Sequence, residues 1–221
     1  MECFYIVTVL WIFSLCLHEF AHAFVANKGG DYTVREKGYL TFNPLKYTDP
    51  FFSLILPLIF VAMGGIGLPG GAVYINRELL RSRAWGTGVS LAGPAANLLL
   101  VLLIAALFRF GVVSADPQSL AAVSLGFLLF LQITAFLFNL LPVPPLDGFQ
   151  AIAPWLGEEF YERGMAMSNF GFFFVFIAVS YVPALRDPFW TLVFHISATL
   201  GVDPYLIQVG RDTYTFWDSP S

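Results

Sequence analysis

The chain opens on an apolar run. From Cys3 to Ala26 nearly every position is hydrophobic, Phe4, Ile6, Val7, Val9, Leu10, Trp11, Ile12, Phe13, Leu15 and Leu17 among them. A helix of that length covers a bilayer core of ~30 Å, and Gly29-Gly30 stops it. Asn27 to Pro50 is polar; within it Tyr39–Phe42 reads as extended, with turns at Asn43-Pro44 and Asp49-Pro50. A second apolar stretch, Phe51 to Leu68, is interrupted by Pro57, Gly64-Gly65 and Gly67 and leads into a strand-like Ala72-Val73-Tyr74-Ile75. Helices are predicted over Trp85–Val113, Gln118–Leu141 and Met165–Pro183, with Asp116-Pro117 turning between the first two. A last apolar stretch, Phe189–Leu206, starts after Asp187-Pro188, and Gly210–Ser221 is a polar tail. The pattern predicts an all-α polytopic membrane protein of about five to six transmembrane helices, with a short extended or re-entrant β element. With no repeat or linker in sight, it is expected to be one membrane-embedded domain over residues 1–221, with a core at 1–150, C-terminal helices at 165–206 and a polar tail at 207–221.

Composition agrees: 57% of the 221 residues are hydrophobic and 12% charged, against roughly 25% charged in soluble domains. A net charge of -4 offers nothing to a nucleic acid. Both cysteines, Cys3 and Cys16, fall in the first helix, so no disulfide framework is expected. That helix does not read as a signal peptide, since Glu2 is its only early charge and no basic segment precedes it. Basic residues argue for topology. Lys28, Arg35, Lys37 and Lys46 precede the Phe51–Leu68 stretch, and Arg77, Arg81 and Arg83 follow it. The positive-inside bias favours one side for both groups, which residues 51–76 permit if they enter the membrane and return. The chain then starts outside, and the Gln118 helix comes back to the depth of residues 18–22. A full span at 51–68 is the alternative.

Within the first helix stands His18-Glu19-Phe20-Ala21-His22. Residues four apart share a helix face, so both imidazoles can bind one metal, with Glu19 beside them to handle a proton of the water to be split. Ionisable groups at membrane depth are costly and read as functional; the pattern is that of a zinc hydrolase with its site inside the membrane. A metal role for Cys16 is disfavoured because helical periodicity turns it away from His18. Catalytic zinc takes three protein ligands and keeps a position open. Asp147 is the candidate third, in Asn139-Leu140-Leu141-Pro142-Val143-Pro144-Pro145-Leu146-Asp147-Gly148, where three prolines bar helix. It reads equally well as a helix cap. His195, alone among Val193, Phe194 and Ile196, reads as a bundle histidine, and Arg109 as a snorkelling side chain.

H-E-x-x-H at 18–22, Leu91-Ala92-Gly93-Pro94-Ala95-Ala96-Asn97 and N-x-x-P-x-P-P-L-D-G at 139–148 together resemble the site-2 protease family of intramembrane zinc metalloproteases. The likeness is to small bacterial members without a PDZ or CBS domain, and also takes in Gly30-Asp31, Gly38 to Lys46 and Asp49-Pro50. The resemblance covers roughly residues 15–150; Tyr47 stands where the subgroup often has His. It implies that His18, His22 and Asp147 hold one Zn2+ per chain and that Glu19 is the general base. It implies Asn139 near the scissile carbonyl and, more weakly, Asn97 at the substrate, although Asn97 also suits an interhelical hydrogen bond. The implied partners are the lipid bilayer and a membrane-protein substrate with a transmembrane segment, in a multi-pass protein of a bacterial cell membrane. Such a substrate must be extended at the cut, and Tyr39–Phe42 or Ala72–Ile75 could offer it a strand edge. A zinc-binding membrane protein that binds client helices without catalysis is the alternative; a metal transporter would want more polar positions along its helices.

Overall fold

The computed structural model describes residues 1–46 and 73–215. Helix α1 spans Glu2–Gly29 and closes at Gly30, whose N–H bonds the Ala26 carbonyl. A one-turn helix, α2 (Thr33–Glu36), follows. Helix α3 (Arg83–Arg109) starts at Ser82, whose hydroxyl accepts the Trp85 N–H, and α4 (Leu120–Asn139) starts at Ser119, which accepts from Ala122. After the proline turn come α5 (Asp147–Leu156), α6 (Glu158–Ala166), α7 (Ser168–Tyr181), α8 (Pro183–Thr199) and α9 (Pro204–Tyr214).

Helices α1, α3 and α4 pack on one another, and α5 lies against α3. The face α3 turns inward is made of small residues, Gly86, Ser90, Gly93, Ala96 and Asn97, three or four apart. In lipid, where apolar contact with a neighbour gains little over contact with acyl chains, such a face lets two backbones approach closely. Leu99, Leu102 and Leu103 of α3 face outward and are at least half exposed, as lipid contact allows. Helix α4 is the most buried of the three, with Phe127, Leu129, Leu131 and Phe138 wholly enclosed.

The segments flanking the predicted Phe51–Leu68 stretch meet at one end of these helices; the stretch itself lies outside the described residues. The Arg81 N–H bonds the Gly29 carbonyl at 2.9 Å. Buried Asp31 accepts from the N–H and hydroxyl of Thr33 with one oxygen and from the Asn76 N–H with the other. Lys37 Nζ sits 4.2 Å above the Tyr74 ring. From that end the chain turns back along α1. Phe42 stacks on Phe20 (4.8 Å) and Phe13 (5.8 Å), the latter about four turns before the helix ends.

Three expectations are met only in part among the described residues. Three helices, Glu2–Gly29, Arg83–Arg109 and Leu120–Asn139, are long and apolar enough to cross a membrane, and a bent pair makes a fourth, among the described residues; the expected count of five to six is not shown, and the Phe51–Leu68 stretch it included lies outside those residues. The region read as one helix over 165–183 belongs to α6 and α7. Val182, extended ahead of Pro183, ends α7 after 14 residues, ~21 Å at 1.5 Å per residue. The stretch read as 189–206 is α8 and α9, bent by 111° where Gly201 takes φ 84° and Pro204 starts the next helix. Second, no strand occurs among the described residues, so the β element is not shown: Leu40–Phe42 makes bends and Val73–Asn76 is irregular, while Ala72 lies outside those residues. Third, the tail read as polar from 207 is helical as far as Tyr214 and buries one face, Ile207, Gly210 and Tyr214, the last packing on Phe4 and Phe127, while Gln208, Arg211, Asp212 and Thr213 are exposed; residues 216–221 lie outside the described set.

Candidate metal centre

Four residues apart on α1, His18 and His22 turn their rings to the same side, with Nε2 atoms 3.0 Å apart. Asp147, the first residue of α5, brings Oδ2 to 3.3 Å from His18 Nε2 and 3.4 Å from His22 Nε2. The proline turn makes this possible, since it reverses the chain after α4 and restarts a helix with its acidic residue in the first turn, where the helix dipole favours an anion. One tetrahedral zinc with bonds of about 2.0–2.2 Å would hold its donors ~3.3 Å from one another. The three donor atoms already stand at that spacing.

Their hydrogen bonding points the same way. His22 Nδ1 lies 2.6 Å from the Val89 carbonyl, and His18 Nδ1 lies 2.6 Å from Asn97 Oδ1. Both Nδ1 atoms thus donate, so in the neutral rings both Nε2 atoms carry bare lone pairs. Two lone pairs facing each other across 3.0 Å, beside a buried Asp147 Oδ2 with no hydrogen-bond partner, are satisfied by a cation between them. Two imidazoles and a carboxylate with room for a fourth ligand is a zinc donor set. The residues fit the metal.

Gly93 backs directly on this pair: a Cβ there would lie 2.3 Å from His22 Nε2 and 2.4 Å from His18 Nε2. The glycine is a requirement of space.

Curated relatives bear on what the centre serves. A protein of Mycolicibacterium smegmatis named "Putative zinc metalloprotease Rip2" is 44% identical over 217 residues, 98% of this chain and 82% of its own. Its namesake in Mycobacterium tuberculosis is 42% identical over 216 residues, 97% of this chain and 81% of its own. "Putative zinc metalloprotease YwhC" of Bacillus subtilis is 36% identical over 200 residues, 86% of this chain and 85% of its own. The chain belongs to the site-2 protease family. It is a zinc metalloprotease, and zinc is its cofactor. No family model matches the chain, and no solved structure does.

Around the candidate metal centre lies a cavity of about 460 Å3, lined by His18, Glu19, His22, Val73–Ile75, Arg77, Asn139, Asp147 and Tyr161. Glu19 is buried, and one of its oxygens accepts the Val73 N–H at 3.1 Å. Asn139, the last residue of α4, is buried at the cavity edge. Asn97 lies elsewhere. Its carboxamide is spent on His18 and, at 2.7 Å, on Gln132 Oε1, and it lines a small pocket behind His18. Cys16 is buried and outside the ligand group, while Arg109 and His195 are exposed.

Several contributors had no signature in the sequence. The Arg77 guanidinium donates to Gln150 Oε1 (2.6 Å), the Gln150 carbonyl (3.3 Å) and Ser90 Oγ (3.3 Å), and lies 5.0 Å from the Tyr161 ring centre. Gln150 in turn donates to the Pro145 carbonyl at 2.8 Å. Arg77 thus ties α3 to α5, and its partner braces the turn that carries Asp147. Burial lowers its guanidinium from the ordinary value, while Tyr161 and Asp147 raise it. Gln132 and Ser14 had only the weak signal of polar side chains inside apolar helices.

Proposed function

We propose that this metalloprotease cleaves peptide bonds within or beside transmembrane segments of other membrane proteins, with His18, His22 and Asp147 holding the zinc. The observation that carries the reading is depth. His18 lies eleven residues before the end of α1, ~16 Å along the axis, in a helix apolar enough to span a bilayer. Bound there, zinc supplies Lewis-acid polarisation of a carbonyl and lowers the pKa of a water to ~7.

The chain's own groups do the rest. Glu19 shares the cavity with the ligands; its carboxylate takes the proton of the attacking water and passes it to the leaving amine. The Val73 N–H keeps that carboxylate from turning away. Asn139 holds the scissile carbonyl from the α4 side. An extended substrate in lipid has unmet backbone hydrogen bonds costing several kcal/mol each, and Val73–Ile75, non-helical and on the cavity wall, pairs with it in the manner of an added strand. The protein acts as a single domain in a bacterial cell membrane, and substrates enter from the bilayer. Glu19→Gln in liposomes with a transmembrane reporter is the test: cleavage should fall about 10²- to 10⁴-fold with zinc retained. Undiminished cleavage would remove Glu19 from the mechanism, and cleavage only of soluble peptides would remove the intramembrane reading.

A further inference from the structure

The two histidines are held in the same tautomer by different means. His22 Nδ1 faces the Val89 main-chain carbonyl, which can only accept, so its proton is placed on Nδ1 outright. His18 Nδ1 faces the Asn97 carboxamide, and an amide can present either end. What orients Asn97 lies further back. Its Nδ2 donates to Gln132 Oε1 at 2.7 Å, Gln132 Nε2 donates to Ser14 Oγ at 2.7 Å, and the Ser14 hydroxyl donates to the Trp11 carbonyl at 2.7 Å. All three side chains are buried, and every donor in the chain points away from His18. The relay crosses from α1 to α3 to α4 and returns to α1 one turn before it started.

We infer that Gln132 is a positioning residue of the metal centre: through Asn97 it selects the His18 tautomer whose Nε2 is free to bind zinc. The inference rests on His18 being a ligand. Without an acceptor at position 132, the Asn97 NH2 group would be left buried and unbonded, whereas an unbonded carbonyl is better tolerated. Asn97 then turns over and offers its NH2 to His18 Nδ1. His18 must accept, its proton moves to Nε2 beside Asp147 Oδ2, and zinc has to displace it. Outer-shell partners of ligating histidines typically matter about 10- to 100-fold in affinity. Glutamate at 132 keeps the selection, because charged or neutral it still accepts from Asn97.

The test uses the full chain in detergent, with zinc affinity measured by competition with a chromophoric chelator. The Co2+-substituted visible spectrum and the thermal unfolding of zinc-free protein are read alongside. Gln132→Leu should weaken zinc about 10- to 100-fold and shift the Co2+ bands, with Gln132→Glu restoring affinity to within about threefold of the parent. Parent-like affinity in Gln132→Leu, or equal weakening in both variants, overturns the inference. If Gln132→Leu does not fold, Ser14→Ala decides. It leaves the Gln132 NH2 without its acceptor and should weaken zinc in the same sense, and unchanged affinity there overturns the inference. His18→Ala separates the two layers: tight zinc in that variant refutes the ligand set itself, whatever Gln132 does.

Discussion

The two halves of α1 are held in place by different balances of apolar and polar contact. Toward its N-terminus, Cys3, Val7, Trp11 and Leu15 join Phe127, Leu131, Leu206 and Tyr214 in an apolar cluster, with Tyr214 5.1 Å from Phe4 and 5.2 Å from Phe127 between ring centres. From Ser14 onward polar contacts (Ser14 to Gln132, His18 to Asn97, His22 to Val89, Glu19 to Val73) stand beside a smaller apolar cluster of Cys16, Ala23 and Ala26 with Val34 and Val89. Apolar packing fills space but tolerates slippage, especially where lipid is an equally good neighbour. Hydrogen bonds in low dielectric are directional, and costly to leave unmade. One end of the helix is built for cohesion and the other for placement.

That contrast can be broken in order of expected effect. Gly93→Ala puts a methyl where both imidazoles stand; zinc affinity, measured by chelator competition, should fall about 100-fold or more, at the upper end of what ligand-supporting changes cost. Arg77→Met removes the tie between α3 and α5 and loosens the support of Asp147 without touching the metal; about a tenfold loss is expected. Ile75→Pro removes a backbone donor from the cavity wall and should slow cleavage of a transmembrane reporter while leaving zinc content at the parent level. Equal zinc loss there would mean the segment supports the metal rather than the substrate. Phe127→Ala acts at the cohesive end. It should lower stability by about 3 kcal/mol, seen as a lower unfolding temperature, with zinc affinity unchanged. A matching drop in affinity would show that the two ends are coupled and dissolve the contrast.

Much of the site was legible because its parts are local. The spacing of His18 and His22 matches the helical period, and the prolines before Asp147 force a turn wherever the rest of the chain goes. The three long spans follow from apolar length alone. The C-terminal region was less legible, since hydropathy cannot tell one long helix from two short ones: the end near Pro183 was read, but the breaks at Met167 and at Gly201 to Pro204 come from backbone geometry. The polar reading of the tail missed that Ile207, Gly210 and Tyr214 recur three and four apart and make one buried face.

By itself, then, the sequence determined which residues could meet a metal, in what helix, and that the helix belongs in a membrane. The tertiary structure alone decided how they are held: that Gly93 leaves room for two rings, that Arg77 braces Gln150, and that Ser14, Gln132 and Asn97 form one directed chain ending on His18. Local spacing is written in the 3.6-residue period. Which polar side chains of separate helices meet depends on the depth and rotation at which those helices pack, and these are set by contacts between residues 79 and 118 positions apart.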